Sequence, residues 1–386
     1  MMDSRDLFRL IYATTVPASL HAFCRGMLRE LSSKYDVIAL SSPGPSLDQV
    51  GEHEGIRTVG VPMERHIAIG KDLRSLFALI RVFRKERPDM VHSMTPKAGL
   101  LCMMAAWWTK VPVRIHTFTG LVWPTSRGLK RIVLKMTDRV TCACATHIIP
   151  EGEGVKQDLI SGHITKKPLR VLGYGNIRGI DLAHFDRTAD VVESAERIRR
   201  PGAFTFLFVG RIVGDKGINE LVSAFVRLNQ SYPDTRLLLV GPFEETLDPV
   251  SAETRRLIED ESCIESLGAK KDVRPYYAAS DCFVFPSYRE GFPNVVIEAG
   301  AMGLPAIVTD INGSREIIHD GENGLIVPSR DIEALFQAMK KMREDESLRS
   351  RLAQNARPMI VSRFEQSFVR KCLYEFYDGI VHDHFK

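Results

Sequence analysis

Two carboxylates, Glu290 and Glu298, stand with seven residues between them in the stretch Asp281–Ala299, DCFVFPSYREGFPNVVIEA. The apolar run Cys282–Phe285 reads as a buried strand, Pro286 ends it, and a polar loop over 287–291 follows. Pro293 and Asn294 then introduce a helix that carries Val295, Val296, Ile297 and Glu298. A buried strand running into a helix start offers unpaired N–H groups, which suit a phosphate. Carboxylates beside that phosphate could accept hydroxyls of a sugar on one side and of a ribose on the other. A solvated loop glutamate and a helix-capping glutamate account for the pair equally well, so the pair alone leaves both readings open. A second group bears on the choice. In Phe208–Gly217, FVGRIVGDKG, Gly210 ends another buried strand, and Arg211 and Lys216 flank the turn into the next helix. An arginine fork and a mobile lysine charge at such a turn can neutralise a diphosphate. Together the two groups favour a nucleotide diphosphate site.

The elements that must position these residues come in two series. The first alternates strands at Leu7–Ala13, Tyr35–Ser41, Ile56–Val61, Asp89–Met94, Val113–Phe118 and Thr141–Ile149 with helices at Leu20–Ser33, Leu73–Lys85, Lys97–Thr109, Gly128–Arg139 and Gly152–Ser161. In Leu73–Lys85 the residues Leu76, Leu79, Ile80 and Phe83 share one face. A short strand, Leu169–Leu172, a Gly-rich turn and a charged stretch follow, and the domain boundary is expected there. The second series has strands at Phe204–Val209, Arg236–Val240, Ile264–Leu267, Cys282–Phe285 and Ala306–Thr309. Its helices are Ile218–Ser231, Ala252–Asp260, Val273–Ala279 and Val295–Met302, then Asp331–Lys341 and Leu348–Ser362. The pattern predicts an α/β chain of two Rossmann-like, doubly wound domains facing a central cleft. The first domain is expected to span residues 1–178, and the second, which carries the candidate diphosphate site, residues 179–363. A last helix, 364–386, is expected to cross back to the first.

Composition fits a two-domain soluble enzyme: 386 residues, 44% hydrophobic and 26% charged. No apolar run reaches 18 residues, and the N-terminus shows no cleavable leader, so a cytoplasmic protein is expected. The seven cysteines lack paired C-x-x-C spacing and read as buried thiols. The net charge of +4 is uneven: residues 1–180 hold 26 Lys/Arg and 15 Asp/Glu, and residues 181–386 hold 26 and 33. A basic half of this kind faces something anionic, whether nucleic acid, a membrane surface or a lipid-linked phosphate.

Three segments in order, VGRIVGDKG (209–217), ESLGAKKDVRPYYAASDCFVFPS (265–287) and EGFPNVVIEAGAMGLPAIVTD (290–310), resemble the retaining glycosyltransferases of family 4, which have the GT-B fold. The likeness is strongest over residues 203–330, and Glu290 and Glu298 match the family's E-x7-E signature. The resemblance implies that Arg211 and Lys216 bind the donor diphosphate and stabilise the leaving group. Glu290 would approach the donor sugar and Glu298 hold the ribose. Gly210, Gly291, Phe292, Asn294 and Val295 would meet phosphate through the backbone, and the loop 268–273 would receive the nucleobase. It also implies same-face attack, with the leaving phosphate helping to deprotonate the acceptor. No D-x-D pair is present, and His382-x-His384 lacks further ligands, so no metal and no cofactor are expected.

The first domain departs from the family pattern. The loop after the first strand, 14–19, has no glycine, and Thr119 stands where many members carry a histidine before a glycine, with His116 three residues earlier. His116 and Thr119 are the acceptor-side candidates, and a strand histidine satisfied by its neighbours is the competing reading. The chain is most similar to the bacterial members that elongate polyprenyl-diphosphate-linked saccharides. A hexose or N-acetylhexosamine would then pass from a UDP-sugar to a lipid-linked saccharide acceptor in surface-glycan synthesis, with no nucleic acid involved. Trp123, Arg127, Lys130, Arg131, Lys135 and Arg139, interleaved with Leu129, Ile132, Val133 and Met136, would form an interfacial helix, the competing reading being an apolar face packed on the sheet with solvated charges. Trp107, Trp108 and Lys110 would add an aromatic edge, giving peripheral contact with an anionic membrane at the inner face. The alternatives are a sugar-nucleotide 2-epimerase of the same fold and a non-catalytic nucleotide-binding scaffold. A dehydrogenase is excluded because no G-x-G-x-x-G follows the first strand.

Overall fold

The computed structural model describes residues 7–64, 66, 68–246 and 248–385, the side chains of His384 and Phe385 excepted. The first six residues, part of the segment read for a leader, and the His384 half of the terminal pair lie outside these. The chain divides into two compact units, Met1–Arg178 with Val369–Lys386, and Gly179–Phe368.

The first unit runs β1 (Arg9–Ala13), α1 (Pro17–Cys24), α2 (Met27–Leu31), β2 (Asp36–Ser41), α3 (Pro45–Glu54), β3 (Arg57–Gly60), α4 (Ile69–Glu86), β4 (Met90–Met94), α5 (Pro96–Trp108), β5 (Val113–Phe118), α6 (Gly128–Cys144), β6 (His147–Pro150) and α7 (Glu153–Ser161). Its strands form one parallel sheet in the order β3-β2-β1-β4-β5-β6. The central strands β1, β4 and β5 are almost wholly buried, as a sheet covered on both faces requires, and β4 and β5 bury His92, Ser93, His116 and Thr117 among their apolar residues. One core packs α4, α5 and α7 on the sheet; the other packs α1, α2 and α3 with Leu373, Phe376, Tyr377 and Ile380 from the end of the chain.

The second unit runs α8 (Ala189–Ile198), β7 (Phe204–Val209), α9 (Ile218–Ser231), β8 (Thr235–Val240), α10 (Ala252–Asp260), β9 (Ile264–Gly268), α11 (Arg274–Ala278), β10 (Cys282–Phe285), α12 (Asn294–Ala301), β11 (Ala306–Thr309), α13 (Ser314–Ile317), β12 (Gly324–Val327), α14 (Ile332–Glu344) and α15 (Glu346–Phe364). Its sheet is also parallel, in the order β12-β11-β10-β7-β8-β9. The switch in strand order falls between β7 and β10, the two strands whose carboxyl ends carry the Arg-Lys and Glu segments. The last helix, α16 (Gln366–Phe385), has most of its length in the first unit.

Three local expectations are corrected. The helix expected over Leu20–Ser33 is two helices, because Gly26 turns the chain at φ 75° and the buried Glu54 carboxylate accepts from Gly26 N at 2.8 Å and Arg29 N at 3.0 Å. That carboxylate caps α2 from a helix distant in sequence. The strand expected over Thr141–Ile149 begins only at His147, and α6 continues to Cys144. Thr141 Oγ1 bonds back to Thr137 O at 2.9 Å, and Lys167 Nζ takes the terminal carbonyls of Cys142 and Ala143 at 2.8 Å each. A cation on the last carbonyls extends a helix that its apolar residues did not announce. Of the strand expected at Leu169–Leu172, an isolated bridge from Leu169 to Ile148 is present. The charged stretch after it supplies α8, and an edge strand, β12, completes the second sheet.

Candidate active site

β7 and β10 are parallel neighbours, so their carboxyl ends deliver two loops to the same place. After β7, Gly210 turns at φ 153°, and a short 3-10 turn, Gly214–Lys216, leads into α9. After β10, the loop 286–293 leads into α12. The loops are tied at four points. Tyr288 N donates to Asp215 O at 2.8 Å and Ser287 Oγ to the same carbonyl at 3.3 Å. Arg289 pairs with the Asp215 carboxylate at 2.9 Å, and Lys216 Nζ pairs with Glu290 Oε1. The Lys216 and Glu290 side chains are only 16% and 17% exposed, so their mutual charge is weakly screened. The single Ser287 hydroxyl proton is shared between the Asp215 carbonyl and Glu290 Oε1, the latter at 2.9 Å, and Lys216 Nζ lies 5.4 Å above the Phe285 ring.

Glycine makes this approach possible. Gly217 sits at φ 71°, and a Cβ there would stand 2.1 Å from Pro286 O. Gly313, at φ 71°, brings the loop after β11 to the 291–293 backbone, where a Cβ would lie 2.5 Å from Gly291 O. Three loops therefore converge where Gly291, Phe292, Asn294 and Val295 lie.

The expected residues fall at separate points of this edge. Arg211 is half exposed and pairs with Glu244. Glu298 is the fifth residue of α12, buried, and accepts from Tyr277 OH at 3.2 Å. The loop expected to receive the nucleobase is set by Gly268 at φ 66° and by Arg274 on Asp272 at 2.7 Å, which holds the aspartate below its usual pKa. Sequence reasoning missed Tyr288, whose hydroxyl donates to Glu220 at 2.6 Å, and Asp215, which anchors the turn. Tyr288 and Arg289 stand beside Glu290 in the chain, and that adjacency was the available signal.

In the first unit His116 is buried on β5. Its Nδ1 meets Ser93 Oγ at 2.9 Å, its ring is edge-on to Phe118, and burial lowers its pKa to about 3. A Cβ on Gly99 would stand 2.3 Å from its Cε1, so α5 packs directly on the ring. His116 and Thr119 nevertheless line one small cavity together with Thr95 and Asp138. Burial raises the Asp138 carboxyl to about 7, the Trp123 indole opposing; Trp123, expected on the interfacial helix, instead precedes α6 and is buried in the core of the first unit. His92 on β4 lies between Tyr377 OH and Thr117 Oγ1, and burial together with the His116 charge depresses it to about 3.

The seven cysteines are free thiols, with Cys24, Cys102, Cys142 and Cys282 buried. Among the described residues, no helix is long and apolar enough to cross a membrane.

Two parallel doubly wound sheets, with a basic pair and a glutamate pair at the switch point of the second, define the architecture of a two-domain glycosyltransferase. The family described as glycosyl transferases group 1 matches residues 193–359, and the glycosyl transferase 4-like domain matches residues 20–175. The capsular polysaccharide biosynthesis glycosyltransferase CapM of Staphylococcus aureus is 34% identical over 379 residues, 98% of each chain. The Escherichia coli UDP-Gal:alpha-D-GlcNAc-diphosphoundecaprenol alpha-1,3-galactosyltransferase is 27% identical over 340 residues, 86% of each chain. Among solved structures, Anabaena HepE in complex with UDP superposes with a TM-score of 0.81 at 16% identity, covering 96% of this chain and 100% of that one, a likeness of fold. The chain belongs to the family 4 glycosyltransferases of the GT-B fold.

Proposed function

We propose that this glycosyltransferase moves a hexose or N-acetylhexosamine from a UDP-sugar to a saccharide carried on a polyprenyl diphosphate, with retention at the anomeric carbon and without metal. The observation that carries the reading is the enclosed Lys216–Glu290 pair at the sheet's switch point, Lys216 standing on the loop that also carries Arg211. Departure of the nucleoside diphosphate builds negative charge on phosphate. Arg211, Lys216 and the amides at the start of α12 oppose that charge once the two cations exchange contact with Glu244 and Glu290 for contact with phosphate. In this reading Glu290 exchanges part of its contact with Lys216 for donor-sugar hydroxyls, and the buried Glu298 takes the ribose. The named E. coli relative, with its UDP-galactose donor and diphosphoundecaprenol acceptor, supports both substrate classes. The family is generally retaining, which supports same-face transfer. The basic first unit supports peripheral contact with an anionic membrane through α6, at the inner face where such acceptors are extended.

The test is a screen of UDP-sugars with polyprenyl-diphosphate-linked saccharides, with UDP release and product anomer measured in the presence and absence of EDTA. An α-linked product, formed at equal rate with EDTA and reduced about 100-fold by Glu290→Gln, is expected. Isomerisation of a UDP-sugar without acceptor would replace the reading with an epimerase. UDP binding with no turnover of any pair would leave a scaffold.

A further inference from the structure

α4 carries two apolar lines. Leu79, Ile80 and Phe83 are buried against the sheet, but Ile69, Leu73 and Phe77, spaced at i, i+4 and i+8, stand in solvent, Ile69 at 75% exposure. α5 packs between α4 and α6. Its outward seam runs from the half-buried Leu100 and Met104 to the exposed Trp107 and Trp108. On α6, Leu129 at 75% exposure, Ile132, Val133 and Met136 form a third line. Nine of the fourteen large apolar side chains left exposed among the described residues lie on these three adjacent helices. Single exposed apolar residues are ordinary, whereas lines on neighbouring helices make a patch that marks an interaction surface.

Charge says what covers it. α4 and α6 carry nine Lys or Arg and three Asp or Glu, so the apolar lines are bordered by cations. Arg131 and Lys135 lean back over the Trp123 ring, at 5.9 and 5.1 Å, which leaves Leu129 and Ile132 outermost. Topology says where the surface leads. α4 and α6 follow β3 and β5, so their exposed N-terminal halves lie at the carboxyl edge of the sheet, beside Thr95 and Thr119.

We propose that α4, α5 and α6 together insert into the interfacial layer of an anionic bilayer, with Ile69, Leu73 and Phe77 as deep as the α6 line. This rests on the membrane contact proposed above for α6, beside the Trp107–Trp108 edge of α5, and extends it by adding the apolar line of α4. A saccharide on a lipid diphosphate would then meet the carboxyl edge of the first sheet while its chain stays in the membrane.

The experiment is flotation of the full chain with vesicles of phosphatidylglycerol and phosphatidylcholine, at low salt and at about 0.5 M salt. Quenching of Trp107 and Trp108 by brominated lipid is read in parallel. The wild type floats, keeps part of its binding at high salt, and is quenched. L73E/F77E on α4 and L129E/I132E on α6 each reduce binding about tenfold. If the α4 variant floats and is quenched as the wild type while the α6 variant is lost, the three-helix face is overturned and contact through α6 and the α5 edge alone stands. A wild type that does not float overturns both. Concentration-dependent dimers abolished by the same substitutions, with no vesicle binding, would assign the face to a second copy of the chain and overturn the proposal.

Discussion

Replacing Gly217 by alanine tests whether the close approach of the two loops sets the site. Two costs are separable. The residue sits at φ 71°, where a side chain costs about 1–2 kcal/mol. The new Cβ would also stand 2.1 Å from Pro286 O and 2.8 Å from its carbonyl carbon. Both obstacles are backbone, so relief requires the loops to part by about 1 Å to restore ordinary contact distances near 3.3 Å. Gly303 is the control within the same unit: its φ is 73°, and nothing lies within 4 Å of the point a Cβ would occupy. G303A should therefore show the left-handed cost alone, about 1 kcal/mol, and keep its activity. G217A should lose about 2–4 kcal/mol and, because a displacement of about 1 Å separates Lys216 from Glu290, about 100-fold in kcat. Urea unfolding of both variants gives the first comparison, and UDP release with saturating donor gives the second. Equal stability and near-normal turnover in G217A would refute the argument that loop contact positions the pair.

Two further outcomes follow from burial and exposure. His92 and His116 are held neutral at about 3, below the ordinary 6.5, so the unfolded chain gains protons first as pH falls. Their contribution is intact above pH 6.5 and declines by about 1.4 kcal/mol per pH unit for each histidine between 6.5 and 3. Urea midpoints at descending pH should show this slope, and H116Q should flatten it; an unchanged slope would count against a neutral His116. Arg211 is half exposed, so R211A should leave stability within about 0.5 kcal/mol while lowering kcat/KM for the donor at least about tenfold. Initial rates over a donor titration check it, and unaltered kcat and donor KM together would remove Arg211 from the site.

Much of the architecture was legible in the chain because parallel strands covered on both faces are continuous apolar runs. Phe204–Val209, Cys282–Phe285 and Ala306–Thr309 are strands at those same residues. The candidate site was legible for a related reason. Glu290 and Glu298 share one strand–loop–helix unit, and Arg211 and Lys216 share another, so sequence spacing alone fixes which residues each loop carries. Contacts between distant segments were not legible. Glu54 capping α2, Lys167 ending α6, and Tyr288 and Arg289 binding the turn before α9 depend on residues that only the folded chain brings together. The two apolar lines of α4 show the same division. Periodicity pointed to the face of Leu76, Leu79, Ile80 and Phe83, whereas only the folded structure shows the second line, Ile69, Leu73 and Phe77, left in solvent. Local pattern thus determined the elements and the residues they carry, and the tertiary structure decided which faces and loops touch, because those contacts join segments whose spacing in the chain carries no information about their distance.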